Sequence, residues 1–97
     1  MKVKKITDCG GACPYQCEGF LEDGREFYLR YRSGNLTLRA WDQTGTMMAD
    51  KSVVFREGIG GEFDGWPNND LFHQKLDAII EFPKDFIFQY DYITPDR

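Results

Sequence analysis

The run Phe27 to Trp41, FYLRYRSGNLTLRAW, constrains this chain more than any other stretch, because two alternating segments meet at Ser33-Gly34. With a two-residue turn there, Arg32 faces Asn35. The pairs stepping back from it are then Tyr31 with Leu36, Leu29 with Leu38 and Phe27 with Ala40. Those three pairs are apolar. The opposite face joins Arg30 to Thr37, Tyr28 to Arg39 and Glu26 to Trp41, so one face is core and the other is wet. A slip of one residue would exchange the two faces, and only this register keeps one of them apolar.

A second hairpin precedes it, through Asp23-Gly24. A two-residue turn there would bury Glu18 and Gln16 beside Leu29 and Tyr31. A three-residue Glu22-Asp23-Gly24 loop, with Gly24 left-handed, instead sets Tyr15, Cys17 and Gly19 opposite Tyr31, Leu29 and Phe27. Burying an unpartnered carboxylate is expensive, so the bulged loop is expected. Tyr15 to Trp41 thus reads as a three-stranded antiparallel meander.

Around it, Val3 to Thr7 is a short strand candidate with imperfect alternation, and Asp8 to Pro14 reads as a loop because of Gly10, Gly11 and the proline. Met47 to Arg56 adds a strand through Ser52-Val53-Val54-Phe55. Glu57 to Asn69 holds four glycines and a proline in thirteen residues, a long loop. Asn68, Asn69 or Asp70 then caps a helix whose apolar stripe is Phe72, Leu76, Ile79 and Ile80, with His73, Gln74, Lys75 and Asp77 outward and Pro83 as its stop. Phe86 to Ile93 alternates into a last strand with an aromatic row, Phe86, Phe88, Tyr90 and Tyr92. The expected fold is α+β: residues 1–97 as a single domain, an antiparallel meander sheet of about four to six strands with one helix of the C-terminal half packed on it.

Ninety-seven residues bury enough apolar surface to fold without disulfides, with little to spare. A net charge of −4 argues against a duplex nucleic-acid binder, whose affinity comes from neutralising phosphates. No apolar run reaches the length that crosses a bilayer, and no secretory signal follows the basic N-terminus, so a soluble, cytoplasmic protein is expected. Three cysteines without an export signal fit a reducing compartment.

Cys9, Cys13 and Cys17 are four residues apart. Along one extended strand such residues lie about 13 Å apart, too far to share an ion. The expectation is therefore that Cys17 is a small core residue, that the other two are loop thiols, and that no metal or cofactor is held. A small metal-binding or thiol protein using all three is the alternative. His73 alone ties to no nucleophile, and a neutral imidazole is expected near a helix N-terminus. Gly58-Ile59-Gly60-Gly61 lacks the Lys-Ser/Thr of a P-loop. Asp64, Asn68 and Asp70 lack calcium-loop spacing and suit helix capping better. No catalytic set emerges, which points away from an enzyme.

The richest surface is the wet face of the meander. Tyr28, Arg30 and Arg32 lie beside Arg39 and Trp41, a mix of guanidinium and aromatic groups suited to an anion, a carboxylate-bearing partner or an unstacked base. These five are the candidate binding residues, and a non-enzymatic binding or protein-interaction module is the leading reading. An acidic, immunity-like inhibitor of a basic protein follows from net charge alone. The aromatic row of the last strand suggests a homodimer built by strand pairing.

The string Cys13-Pro14-Tyr15-Gln16-Cys17-Glu18-Gly19, followed by Asp23-Gly24-Arg25-Glu26-Phe27-Tyr28-Leu29-Arg30-Tyr31-Arg32, resembles a pattern in small uncharacterised bacterial and phage proteins: a Gln-x-x-Gly strand, an Asp-Gly turn and a Phe-Tyr-x-Arg-x-Arg strand. The resemblance runs from Cys13 to Arg32, about a fifth of the chain. It implies the meander and a bacterial or phage setting, and it carries over no functional residue.

Overall fold

A computed structural model of the chain describes residues 1–12, 14–42, 52–62, 65–83 and 85–89. Among these residues five strands and one helix follow in order: β1 (Val3–Gly10), β2 (Tyr15–Leu21), β3 (Glu26–Arg32), β4 (Asn35–Trp41), β5 (Val53–Gly58) and α1 (Asn69–Leu76). The strands form one antiparallel sheet in the order β1-β2-β3-β4-β5, so each pairs with its neighbour in sequence. The fold is α+β, as the alternation implies.

Both hairpin registers are those the side chains demand. Leu29 faces Leu38 and Tyr31 faces Leu36 across β3–β4, while Cys17 faces Leu29 and Gly19 faces Phe27 across β2–β3. Ser33 and Gly34 both have positive φ, +54° and +77°, the signature of a two-residue hairpin turn whose twist matches its strands. Gly24 has φ +92°, and its N–H donates to the Leu21 carbonyl, which makes Glu22-Asp23-Gly24 the three-residue loop.

β1 runs three residues further than Val3–Thr7, through Asp8 and Cys9 to Gly10. Register shifts lie between Val3 and Lys5 and between Ile6 and Asp8. In a regular strand residues three apart face opposite sides; an irregular one can bring both Val3 and Ile6 to the core, where both are buried. The longer strand also overturns the expectation that Cys9 is a loop thiol; Cys13 lies outside the described residues. Cys9 stands directly opposite Cys17 and is bonded to it as a disulfide, with Cα atoms 4.0 Å apart. A spacing of eight residues looks long along one extended strand, but this chain reverses between the two cysteines and brings them face to face. Cys17 is buried, as expected, though as half of a disulfide.

The inner face of the sheet is covered by α1 and the segment after it. Asn68 caps the helix, its side-chain oxygen accepting from the Leu71 N–H, and Phe72 and Leu76 point into the core. The Phe72 ring meets Tyr31 at 5.0 Å and Tyr15 at 5.9 Å. The helix stops at Leu76, well short of Pro83, because the chain is drawn into pairing with β1: Val3 N–H donates to the Glu81 carbonyl, and Glu81 N–H donates to that of Met1. Ile80 is still buried, beyond the helix end.

Residues 85–89 form no strand. Phe88 is buried among Phe72, Phe82, Phe86 and Tyr15, and its N–H donates to Asn69 Oδ1 at 2.8 Å. Phe86 and Phe88 are therefore protomer core, not a row free for strand pairing between copies. Tyr90 to Ile93, like Met47 to Lys51, lie outside the described residues.

Candidate functional site

The outer face of the sheet follows from the register. Across β2, β3, β4 and β5 one row reads Gln16, Arg30, Thr37, Arg56, and the next toward the Ser33-Gly34 turn reads Arg32, Asn35, Gly58. On the other side come Glu18, Tyr28, Arg39, and then Phe20, Glu26, Trp41. Helix α1 packs on the opposite face, so among the described residues it leaves these rows uncovered.

The five residues singled out by sequence divide into two groups. Tyr28, Arg39 and Trp41 are committed to the sheet itself. The Tyr28 hydroxyl donates to Gln16 Oε1 at 2.8 Å, Arg39 donates to Ser52 Oγ at 3.0 Å, and the Trp41 indole N–H donates to Glu26 Oε2 at 2.9 Å. Partial burial pushes the Tyr28 phenol above its ordinary value, with the neighbouring Glu18 charge acting the same way and Arg30 and Arg39 opposing it. Each of the three spends its polar atom locally, the bland role such residues often have on a sheet.

Arg30 and Arg32 are different. Both are exposed, and among the described residues neither guanidinium meets a carboxylate. Together with Ser33, Asn35 and Thr37 they line an open concavity of about 260 Å³. The acid on β5 that lies nearest in sequence, Glu57, faces the other side of the sheet and pairs with Lys75 of α1 at 3.1 Å. Arg56, exposed and one position beyond Thr37 in its row, adds a third guanidinium to this end of the face.

Ser33, Asn35 and Thr37 are the members that attention to arginines and aromatics passes over, and Arg56 is a fourth residue outside the predicted set. The first three were within reach of the sequence, since the hairpin register itself sets Asn35 and Thr37 against Arg32 and Arg30. Arg56 was not, because a register shift beside Leu38 and Arg39 decides which β5 residue meets Thr37.

The glycine-rich stretch has a structural task beside this site. Ile59 N–H and Gly60 N–H both donate to the Gly34 carbonyl, at 2.8 and 3.1 Å. Those amides brace the β3–β4 turn, so they are not available as a phosphate cradle. A side chain at Gly34 would run into the Gly60 carbonyl.

On the covered side, His73 is half-buried rather than fully outward. Its Nδ1 lies 2.9 Å from Asp77 Oδ1, its Nε2 lies 3.2 Å from the Phe86 carbonyl, and its ring is 5.0 Å from that of Phe88. It ties residues 85–89 to α1. The metal reading loses two of its three thiol ligands to the Cys9–Cys17 bond, and among the described residues no cluster of His, Cys, Asp and Glu could hold an ion. No described helix is long and apolar enough to cross a membrane.

Comparison with protein-family models, with curated proteins and with solved structures gives no match for this chain.

Proposed function

We propose that this protein is a non-enzymatic binding module that takes an anionic ligand, or an anionic group of a partner protein, on the outer face of its meander at the β3–β4 turn. The observation that carries the reading is the pair Arg30 and Arg32. Two exposed guanidinium groups without a carboxylate partner among the described residues share one concavity with three uncharged hydrogen-bonding side chains, in a chain whose net charge is −4. Acids outnumber bases overall, and Glu18 and Glu26 stand further along the same face, yet the lining of the concavity at the turn holds none. Guanidinium forks recognise oxyanions through paired N–H bonds.

The lining also favours binding over chemistry. Arg, Ser, Asn and Thr side chains neither take up nor release a proton near neutral pH unless a neighbour activates them, and the lining holds no carboxylate, imidazole or thiol to do so. A cytoplasmic setting belongs to the same proposal; there the Cys9–Cys17 bond would be of the transient, redox-responsive kind.

The test is thermal unfolding with sulfate, phosphate and citrate at an ionic strength matched by sodium chloride. A ligand at about ten times its Kd stabilises by about 1.4 kcal/mol, which moves the Tm of a domain this size by roughly 5–10 °C. At least one anion should produce such a shift in the wild type and none in R30Q/R32Q. Identical melting with every anion would refute the reading.

A further inference from the structure

We infer that the concavity at the β3–β4 turn is a phosphoryl site: it takes the dianionic head of a phosphate monoester in preference to a carboxylate. This rests on the reading of the face as an anion site and adds the class of anion.

The first argument is the number and placement of donors. Arg30 and Arg32 are two apart on β3, so their Cα atoms stand about 7 Å apart on one face. Thr37 and Asn35 face them across β4, at about 5 Å. Ser33 closes the end at the turn, and Asn35, which gives one amide N–H to the Ser33 carbonyl at 3.4 Å, keeps a second to offer, so the four corners and the turn all carry donors. A carboxylate offers two oxygens in a plane and is satisfied by one guanidinium fork. A phosphate monoester presents three terminal oxygens in a pyramid, a shape that spreads its acceptors over Arg30, Arg32, Thr37 and Ser33 better than the flat pair of a carboxylate does.

Charge gives the second argument. Two guanidinium groups in a lining that holds no acid match a charge near −2, the value a monoester reaches above its second pKa of about 6, better than the single charge of a carboxylate. Arg56, next to Thr37 in the same row, reinforces the preference.

Size and rigidity supply the third. At about 260 Å³ the concavity is smaller than the 300–1,000 Å³ usual for an enclosed ligand, so it seats a head group while the rest of the molecule lies outside. The turn that carries Ser33 is held by two N–H donors to the Gly34 carbonyl, so the backbone that positions Ser33 and Asn35 is set before the ligand arrives.

The experiment is calorimetric or NMR titration of the full chain with O-phosphoserine, a nucleoside monophosphate, inorganic phosphate, sulfate, acetate and citrate at matched ionic strength. The phosphate compounds should bind at least tenfold more tightly than acetate or citrate, and O-phosphoserine should weaken severalfold between pH 7.5 and 5 while sulfate is unchanged. R30Q and R32Q should each lose at least tenfold. R30K, which keeps the charge without the fork, should also lose severalfold. Both positions are exposed, so folding is checked by circular dichroism and not expected to change. Tight binding of the two esters but not of inorganic phosphate would still support the site and would show that atoms beyond the phosphoryl group take part. Citrate or acetate binding as tightly as the esters would overturn the phosphoryl assignment and leave the anion site standing. Absence of binding by every anion would overturn both.

Discussion

Truncating Phe88 to alanine tests the claim that residues 85–89 belong to the core of this protomer. Phe88 is 2% exposed, and its ring centroid lies within 5.3 Å of those of Phe72, Phe82 and Phe86 and 6.5 Å from that of Tyr15. A buried phenylalanine removes some 150–250 Å² from water, about 4–6 kcal/mol at 25 cal/mol/Å², of which alanine keeps a fraction. The expected loss is about 3–5 kcal/mol, the usual range for such truncations. Against a total stability of roughly 5–15 kcal/mol for a domain, that is about a fifth at the least and most of it at the upper end. In urea, with an m-value of about 1.5 kcal/mol/M, the midpoint should fall by about 2–3 M. Ile87 is 53% exposed and serves as the control, with I87A costing under about 1 kcal/mol. An F88A protein within 1 kcal/mol of wild type, or an I87A protein weaker than F88A, would refute the packing and return the aromatic row to a candidate dimer surface.

Leu38→Ala, at a fully buried position between Leu29 and Phe55, should cost about 2–5 kcal/mol in the same assay, and a loss under half a kcal/mol would mean that the faces are misassigned. Alkylation of the denatured, unreduced chain should label one of its three cysteines, and all three after reduction; reduction should lower stability by about 2–3 kcal/mol, the loop-closure value for eight residues. Three labelled thiols in the unreduced protein would rule the bond out. Hydrogen bonds from Arg25 hold the exposed Asp23 carboxyl below its usual 3.8. Its contribution is therefore present above that value and lost as pH falls through the lowered folded-state value. D23N should flatten that part of the acid limb of the stability curve, and superimposable limbs would count against the pairing.

The meander was legible because three signals with different physical origins agree there: side-chain alternation, turn chemistry and the cost of burying Glu18. β1 was legible only in part, since alternation assumes a regular strand and β1 has two register shifts. The disulfide was hidden by the same gap, because it depends on where the chain reverses rather than on spacing. The helix was found from its stripe, yet its end was set by backbone pairing of Glu81 with Met1 and Val3, far away in sequence. At the site, exposure of Arg30 and Arg32 could be read from register alone. The Trp41–Glu26 bond was within reach as well, since the register sets those residues opposite each other, but the bonds of Tyr28 to Gln16 and of Arg39 to Ser52 run to residues outside the facing pairs and were not.

Each strand of the sheet pairs with the strand made just before it, whereas the cover of the inner face comes last, from Phe72 to Phe88. During synthesis the sheet's pairing partners are all present once Gly58 has emerged, and Phe88 follows about thirty residues later. At about 5–20 residues per second that is an interval of roughly 2–6 s, in which Tyr15, Phe27, Leu29, Tyr31 and Leu38 have no helix to lie against. A nascent chain in that interval offers a broad apolar sheet to chaperones and to its own copies. Slower translation across residues 59–88 should therefore lower the soluble yield of this protein, even though the finished chain is unaltered.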